Sequence, residues 1–156
     1  MKLIAILFAA ALSHPCQAPE HRALDFWIGH WDVKDTRSGT PVGASDIESI
    51  LDGCVVLENW SGRRGMTGKS FNTFNANAKQ WKQSWVDSMG SAYDFLGEAF
   101  PGRVVYTRDV VDAEGKTMKN RLTLSKNEDG SVRQLSETSA DGRTWKTGYD
   151  FTYVRR

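Results

Sequence analysis

Hydrophobic and polar residues alternate along most of the chain after residue 30, in short segments separated by turn-forming residues. A strand places successive side chains on opposite faces, so a period of two predicts β-structure. In the last segment, the clearest one, six residues share a face: Trp145, Thr147, Tyr149, Phe151, Tyr153 and Arg155. About ten segments of this kind follow one another along the chain.

The residues between the segments are rich in Gly, Asn, Asp and Pro, which supply the backbone angles of tight turns. Examples are Pro101-Gly102, Glu114-Gly115 and Asp141-Gly142. Short strands joined by tight turns predict an all-β sandwich or barrel. About ten of them can close into a single antiparallel up-and-down barrel, which leaves no exposed edge, and this is the fold that we predict.

The stretch Phe26-Trp27-Ile28-Gly29-His30-Trp31 joins a helical or coiled lead-in to the first strand. Gly29 adopts a left-handed conformation without a steric penalty and therefore suits the end of a helix. Trp31 and Val33 share one face of the strand, and a large indole there would plug one end of a barrel. We predict a short N-terminal helix and a buried Trp31.

The chain begins with Lys2 and an apolar run from Leu3 to Leu12, which is typical of a secretory signal peptide. The run is too short for a membrane-spanning helix. We therefore predict a signal peptide over residues 1–18, a barrel domain over residues 19–156, and an exported protein, either periplasmic or extracellular.

The two cysteines lie on either side of the predicted cleavage site. Cleavage after Ala18 leaves Cys54 as the single cysteine of the mature chain, so we expect no intramolecular disulfide and a Cys54 that packs as a small buried residue. The alternative is a lipid anchor on Cys16, but His14 and Pro15 stand where a lipoprotein signal has small residues.

Charge and composition narrow the classes of partner. Twenty basic and nineteen acidic residues give a net charge of +1, so no basic excess points to nucleic acid. The histidines are His14, His21 and His30, and no Cys/His/Asp cluster has the spacing of a zinc site. We expect no metal and no cofactor, and the oligomeric state stays open.

Gly29-His30-Trp31, the strand meander and Arg155 together resemble the calycin barrels, which include the lipocalins, the fatty-acid-binding proteins and the nitrobindin-like proteins. The resemblance implies that Arg155 packs over the Trp31 indole in a cation–π contact. Nitrobindin-like barrels hold haem through a histidine on a late strand, and this chain has no histidine after His30.

The chain resembles, more specifically, a bacterial calycin-like family of unknown function. The resemblance implies a barrel and supplies no activity. Four stretches carry it: Phe26 to Trp31, Leu51 to Trp60, Gln83 to Asp87, and Val132-Arg133-Gln134.

One alternating segment has the composition of a pocket wall. Trp81, Gln83, Trp85 and Asp87 share a face, and two indoles with two polar groups are typical of a small-molecule site. The alternative is that both tryptophans are core and Asp87 is exposed at the strand end. Four residues on other segments are candidates for further hydrogen bonds to a ligand: Asn72, Tyr93, Tyr106 and Gln134.

Three functions are compatible with this pattern. The leading hypothesis is a binding protein that holds a small, partly apolar molecule inside the barrel, with Arg63 and Arg64 in a loop at its mouth. The second is an enzyme that acts on such a molecule through Asp87 or Glu58. The third is an interaction module with a filled barrel. An open pocket would exclude the third, and a carboxyl with a raised pKa inside it would favour the enzyme.

Overall fold

The computed structural model describes residues 15–156, so most of the predicted signal peptide lies outside the described residues. Ten strands account for most of the described chain, and tight turns join them. The strands are β1 (Gly29–Asp35), β2 (Pro41–Ile50), β3 (Val55–Gly62), β4 (Thr67–Asn75), β5 (Gln80–Asp87), β6 (Ala92–Phe100), β7 (Arg103–Val111), β8 (Thr117–Lys126), β9 (Val132–Ser139) and β10 (Lys146–Arg155).

Each strand pairs antiparallel with its sequence neighbours, and β10 pairs with β1 to close the barrel. The closing register sets Trp31 opposite Arg155 and Val33 opposite Tyr153. Every strand of the described barrel therefore has two hydrogen-bonded neighbours, and no edge of it is left open. The prediction of a single all-β, antiparallel up-and-down barrel of ten strands is confirmed.

The segment before β1 covers one end of the barrel, which we call the closed end. It contains three short 3₁₀ turns, Pro15–Gln17, Pro19–Arg22 and Asp25–Trp27, as expected for a short N-terminal helix. Leu24 and Trp27 from this segment are fully buried among the core residues. The opposite end is formed by the loops 36–40, 63–66, 88–91, 112–116 and 140–145, and we call it the open end.

Trp31 is fully buried at the closed end, as predicted. Its indole Nε1 donates a hydrogen bond of 2.8 Å to the carbonyl oxygen of Trp27. The Arg155 guanidinium lies 4.4 Å from the centre of the indole ring, which confirms the predicted cation–π contact. Gly29 belongs to this contact rather than to a helix end: its φ is +145°, and a Cβ there would overlap the Arg155 guanidinium.

A disulfide joins Cys16 to Cys54, so the prediction of no intramolecular disulfide and of an unpaired Cys54 is wrong. That prediction followed from placing the cleavage site after Ala18, which would remove Cys16. The bond ties the N-terminal segment to the turn before β3 at the closed end. It spans 38 residues, and a loop of that length corresponds to about 4 kcal/mol of chain entropy removed from the unfolded state.

The structure decides which faces of β4 and β9 point inward, where alternation alone was ambiguous. In β4 the polar side chains of Ser70 and Asn72 are fully buried, while Phe71 is 42% exposed on the outer face. In β9 Gln134 and Ser136 point inward. A barrel interior that turns polar residues inward must satisfy them within the protein, because an unpaired buried polar group is costly.

We predict that Trp31→Ala lowers the free energy of unfolding by about 3–5 kcal/mol, because it removes a fully buried indole and the surface on which Arg155 packs. Phe71→Ala, on the outer face of β4, is the control and should cost about 1 kcal/mol or less. Urea denaturation measures both variants. Equal losses would contradict the role of Trp31 as the plug of the closed end.

Candidate functional site

A cavity of about 520 Å³ lies inside the barrel and reaches the open end. That volume is within the range of small-molecule sites. The predicted alternative of a filled barrel is therefore not what the described residues form. Most of the lining side chains are aromatic or aliphatic: Val42, Trp60, Met66, Trp85, Tyr93, Phe95, Leu122, Tyr149, Phe151 and Tyr153.

Two glycines on inward positions keep this space open. A Cβ at Gly43 on β2 would overlap the six-membered ring of Trp60, and one at Gly68 on β4 would overlap the ring of Trp85. Each indole therefore lies over a glycine of the neighbouring strand. The interior next to these two tryptophans is left as cavity because the adjacent strands lack side chains there.

The aromatic side chains form two groups around the cavity. On one side Phe151 stacks on Trp60 with ring centres 6.2 Å apart and planes inclined by 4°, and on Tyr149 at 4.6 Å. On the other side Tyr93 meets Phe95 edge to face at 5.8 Å. Flat rings on both sides offer a planar ligand the offset-stacked and edge contacts that aromatic groups prefer.

Glu58 on β3 is the buried acid that lines the cavity. Its Oε1 accepts hydrogen bonds from Ser45 Oγ at 3.1 Å and Tyr153 OH at 3.2 Å, and its Oε2 accepts one from Ser70 Oγ at 2.9 Å. Burial raises the pKa of the Glu58 carboxyl above its ordinary value, because desolvation outweighs the three hydroxyl donors that lower it.

The single proton of the Tyr153 hydroxyl also favours a neutral Glu58. Tyr153 OH lies 3.0 Å from Gln134 Oε1 as well as 3.2 Å from Glu58 Oε1, but it has only one proton to donate. If Glu58 is protonated, its hydroxyl donates to Tyr153, which then donates to Gln134 Oε1, and these three groups are all paired. If Glu58 is ionised, Tyr153 donates to the carboxylate, and in the observed orientation of the amide Gln134 Oε1 loses its donor.

Asn72 connects this acid to the neighbouring wall. Its Nδ2 donates to the backbone carbonyl of Val56 at 3.1 Å and to Ser70 Oγ at 3.0 Å. Its Oδ1 accepts from Gln83 Nε2 at 2.9 Å and from Tyr106 OH at 3.0 Å. We call Glu58, Gln83, Gln134 and Tyr153, which line the cavity and belong to this network, the floor.

The rim of the cavity carries charge of both signs. Asp87 accepts hydrogen bonds from Trp85 Nε1 at 2.9 Å and from the backbone amides of Met89 and Ser91. These bonds, the one from Trp85 first, lower the pKa of the Asp87 carboxyl. Arg63 and Arg64 lie exposed in the loop before β4 and also line the cavity, as expected for a loop at the barrel mouth.

The predicted site residues fall into three groups. Gln83, Trp85, Asp87, Tyr93 and Gln134 line the cavity. Asn72 and Tyr106 are buried behind the cavity lining. Asn72 accepts a hydrogen bond from Gln83, and Tyr106 donates one to Asn72. Trp81 is buried against Phe74 and does not line the cavity. The predicted wall is thus formed by part of β5, and Trp81 belongs to the core.

Several lining residues were not predicted from the sequence, namely Trp60 and the β10 aromatics Tyr149 and Phe151. The alternation of β10 contained the signal, since it puts Tyr149, Phe151 and Tyr153 on one face. Nothing in the sequence indicated that Gly43 and Gly68 make room for indoles on neighbouring strands. That contact depends on the strand register.

The chain matches no protein-family model, and no curated protein is similar to it at a significant level. Within residues 15–156 none of the helices has the length and hydrophobicity needed to cross a lipid bilayer. Over the same residues no three His, Cys, Asp or Glu side chains are grouped closely enough to hold a metal ion. The functional proposal therefore rests on the barrel and its cavity.

We predict that Glu58→Gln changes how stability depends on pH. A pKa raised in the folded state means that neutral Glu58 contributes fully below the unfolded value near 4.5, and that this contribution is lost as the pH rises through the folded pKa. Because the amide introduced by Glu58→Gln stays neutral at every pH, the variant should gain stability relative to the natural protein as the pH rises above about 5.

Urea denaturation at several pH values between about 5 and about 8 measures this difference. Glu98→Gln, an exposed glutamate on β6, is the matched control and should follow the natural protein at each pH. A constant difference between Glu58→Gln and the natural protein across the range would contradict a neutral Glu58.

Proposed function

We propose that this protein binds a small, partly apolar and largely planar molecule inside its barrel. The observation that carries the proposal is the open cavity of about 520 Å³ with aromatic side chains on both sides and a few buried polar groups at its floor. Most of the contact area offered to a ligand is apolar, while Gln83 and Gln134 supply hydrogen-bonding groups. That combination is typical of small-molecule pockets.

A calycin-type barrel is part of the same proposal. The closed ten-strand meander supports it, and so does the cluster of Gly29, Trp31 and Arg155 at the closed end. In this arrangement the N-terminal segment and the buried indole seal one end. A ligand would enter through the open end, past Arg63 and Arg64.

Gly68→Ala tests the binding proposal, with N-phenyl-1-naphthylamine as a fluorescent apolar probe. The new methyl group would overlap the Trp85 ring and drive the indole into the cavity. We expect the natural protein to bind the probe, and the variant to bind it about tenfold more weakly because the displaced indole takes up space that the probe would occupy.

Gly148→Ala on β10 is the matched control, since its added Cβ would have no neighbour nearer than 3.5 Å. It should leave probe binding unchanged. A natural protein that does not bind the probe, or two variants that bind it equally, would count against a ligand in this cavity. Native mass spectrometry of protein purified from its own host would identify a retained ligand.

We also propose that the protein is exported and that processing occurs before Cys16. The disulfide to Cys54 is compatible with an oxidising compartment. It requires that the mature chain keep Cys16, which cleavage after Ala18 would not do. Ala11 and Ser13 are small residues at the spacing that a signal peptidase recognises, so cleavage after Ser13 fits both requirements.

Intact-mass measurement of the exported protein tests this proposal. We expect a chain that begins at His14 and gains the mass of two hydrogen atoms on reduction. A lipid on Cys16 would compete with the disulfide for the same sulfur. A mature chain that begins at Pro19, or a lipidated Cys16, would contradict the proposal.

The second candidate function is catalysis on the bound molecule. The observation that favours it is the raised pKa of Glu58, since a neutral carboxylic acid at a cavity surface is suited to act as a general acid. The other candidate acid, Asp87, has a lowered pKa instead, because it accepts hydrogen bonds from Trp85 and from the backbone amides of Met89 and Ser91. Turnover lost in Glu58→Gln with ligand binding retained would favour the enzyme over the carrier.

A further inference from the structure

We propose that the floor recognises a ligand whose buried end is uncharged and presents a hydrogen-bond donor beside an acceptor, as a carboxamide or lactam does. This inference rests on the proposed function and names the class of ligand. Two glutamines carry it: Gln83 on β5 and Gln134 on β9 both line the cavity and are 3% and 7% exposed.

The orientation of the Gln83 amide follows from its partners. The backbone carbonyl of Val56 accepts only from the Nδ2 side of Asn72, at 3.1 Å, so Asn72 Oδ1 is the atom that faces Gln83. Gln83 must therefore present its Nε2 to that oxygen, and the two are 2.9 Å apart. Gln83 Oε1 then accepts no hydrogen bond from any of residues 15–156 and is available to a donor in the cavity.

The Gln134 amide turns its oxygen toward Tyr153. Its Oε1 lies 3.0 Å from Tyr153 OH, which donates to it when Glu58 is neutral. Gln134 Nε2 has no acceptor among the described side chains and backbone groups. Since a buried amide without partners is costly, both free atoms are accounted for if a ligand or water meets them.

The two free groups approach a ligand from different sides. β5 and β9 are separated by β6, β7 and β8 in the ten-strand barrel, so an acceptor from Gln83 and a donor from Gln134 reach the cavity across from each other. A carboxamide offers an N–H to one and a C=O to the other. A carboxylate offers only acceptors, and an ammonium offers only donors.

The surroundings also disfavour a charged group at the floor. Both oxygens of Glu58 are held by the hydroxyls of Ser45, Ser70 and Tyr153, so the acid needs no cation from the ligand. No Lys or Arg among the described residues lines the floor, since Arg63 and Arg64 lie at the rim. A buried carboxylate or ammonium on the ligand would therefore lose its hydration without gaining a countercharge.

A matched series of four naphthalenes tests the proposal, each measured by displacement of N-phenyl-1-naphthylamine. The series is 2-naphthamide, 2-naphthoate, 2-naphthylmethylammonium and 2-ethylnaphthalene. We expect 2-naphthamide to bind about tenfold more tightly than each of the other three, which corresponds to one or two hydrogen bonds gained without a desolvated charge.

Gln134→Leu and Gln83→Leu should each reduce the ratio of naphthamide affinity to ethylnaphthalene affinity about tenfold. Gln80→Leu is the matched control, because Gln80 also lies on β5 but on the face opposite to Gln83, outside the cavity. It should leave the ratio of naphthamide affinity to ethylnaphthalene affinity unchanged. Gln134→Glu keeps the size of the side chain but replaces the donor with an acceptor, and it should lose the preference as well. If Gln83→Leu fails to fold because it also breaks the hydrogen bond to Asn72, Gln134→Glu still tests the preference for the amide.

The outcomes separate this inference from the proposed function. If the natural protein binds N-phenyl-1-naphthylamine but shows no preference for the amide, the inference is overturned and the binding function stands. Tightest binding of the ammonium would also overturn it, and would indicate an ionised Glu58 as the partner. If none of the aromatic probes binds, the proposed function fails and the inference fails with it.

Discussion

The closed barrel imposes one constraint on which the rest of the structure depends: no interior polar group has access to bulk water unless the barrel leaves room for it. Ten strands enclose more space than a thin layer of side chains fills. The protein divides that space along the barrel axis. The closed end is packed with Leu24, Trp27 and Trp31, the middle holds a polar network, and the open end is left as a cavity.

The polar network explains why buried Ser, Asn, Gln and Glu side chains are tolerated inside the barrel. Asn72 uses its amide to join the backbone of β3, the acid Glu58 through Ser70, and the wall residue Gln83. Partial satisfaction would make such a network unfavourable. Its unmatched atoms, on Gln83 and Gln134, lie at the cavity surface, where the proposed ligand or water would supply the missing partners. The network therefore serves the site as well as the core.

The closed end combines covalent and non-covalent contacts that all involve the N-terminal segment. The disulfide from Cys16 to Cys54 anchors its start, and the contacts of Trp27 with Trp31 anchor its end. Closure of one end in this way leaves a single direction for exchange of a ligand in the proposed binding function. The attachment of this segment to the turn before β3 depends on that disulfide.

Alternation and regular turn residues were sufficient to predict an all-β fold of about ten strands, because strand periodicity and turn chemistry are local properties. The resemblance of the segment around Trp31 to the calycin barrels favoured a closed barrel over a sandwich. Alternation also placed Gln83 and Trp85 on an inward face. Only the tertiary structure decided four features: the inward faces of β4 and β9, the position of Trp81 outside the cavity lining, the free atoms of Gln83 and Gln134, and the partner of Cys54. Each of these depends on strand register or on residues far apart in the sequence. The contact of Gly68 on β4 with Trp85 on the neighbouring strand β5, which leaves the cavity open, depends on register in the same way.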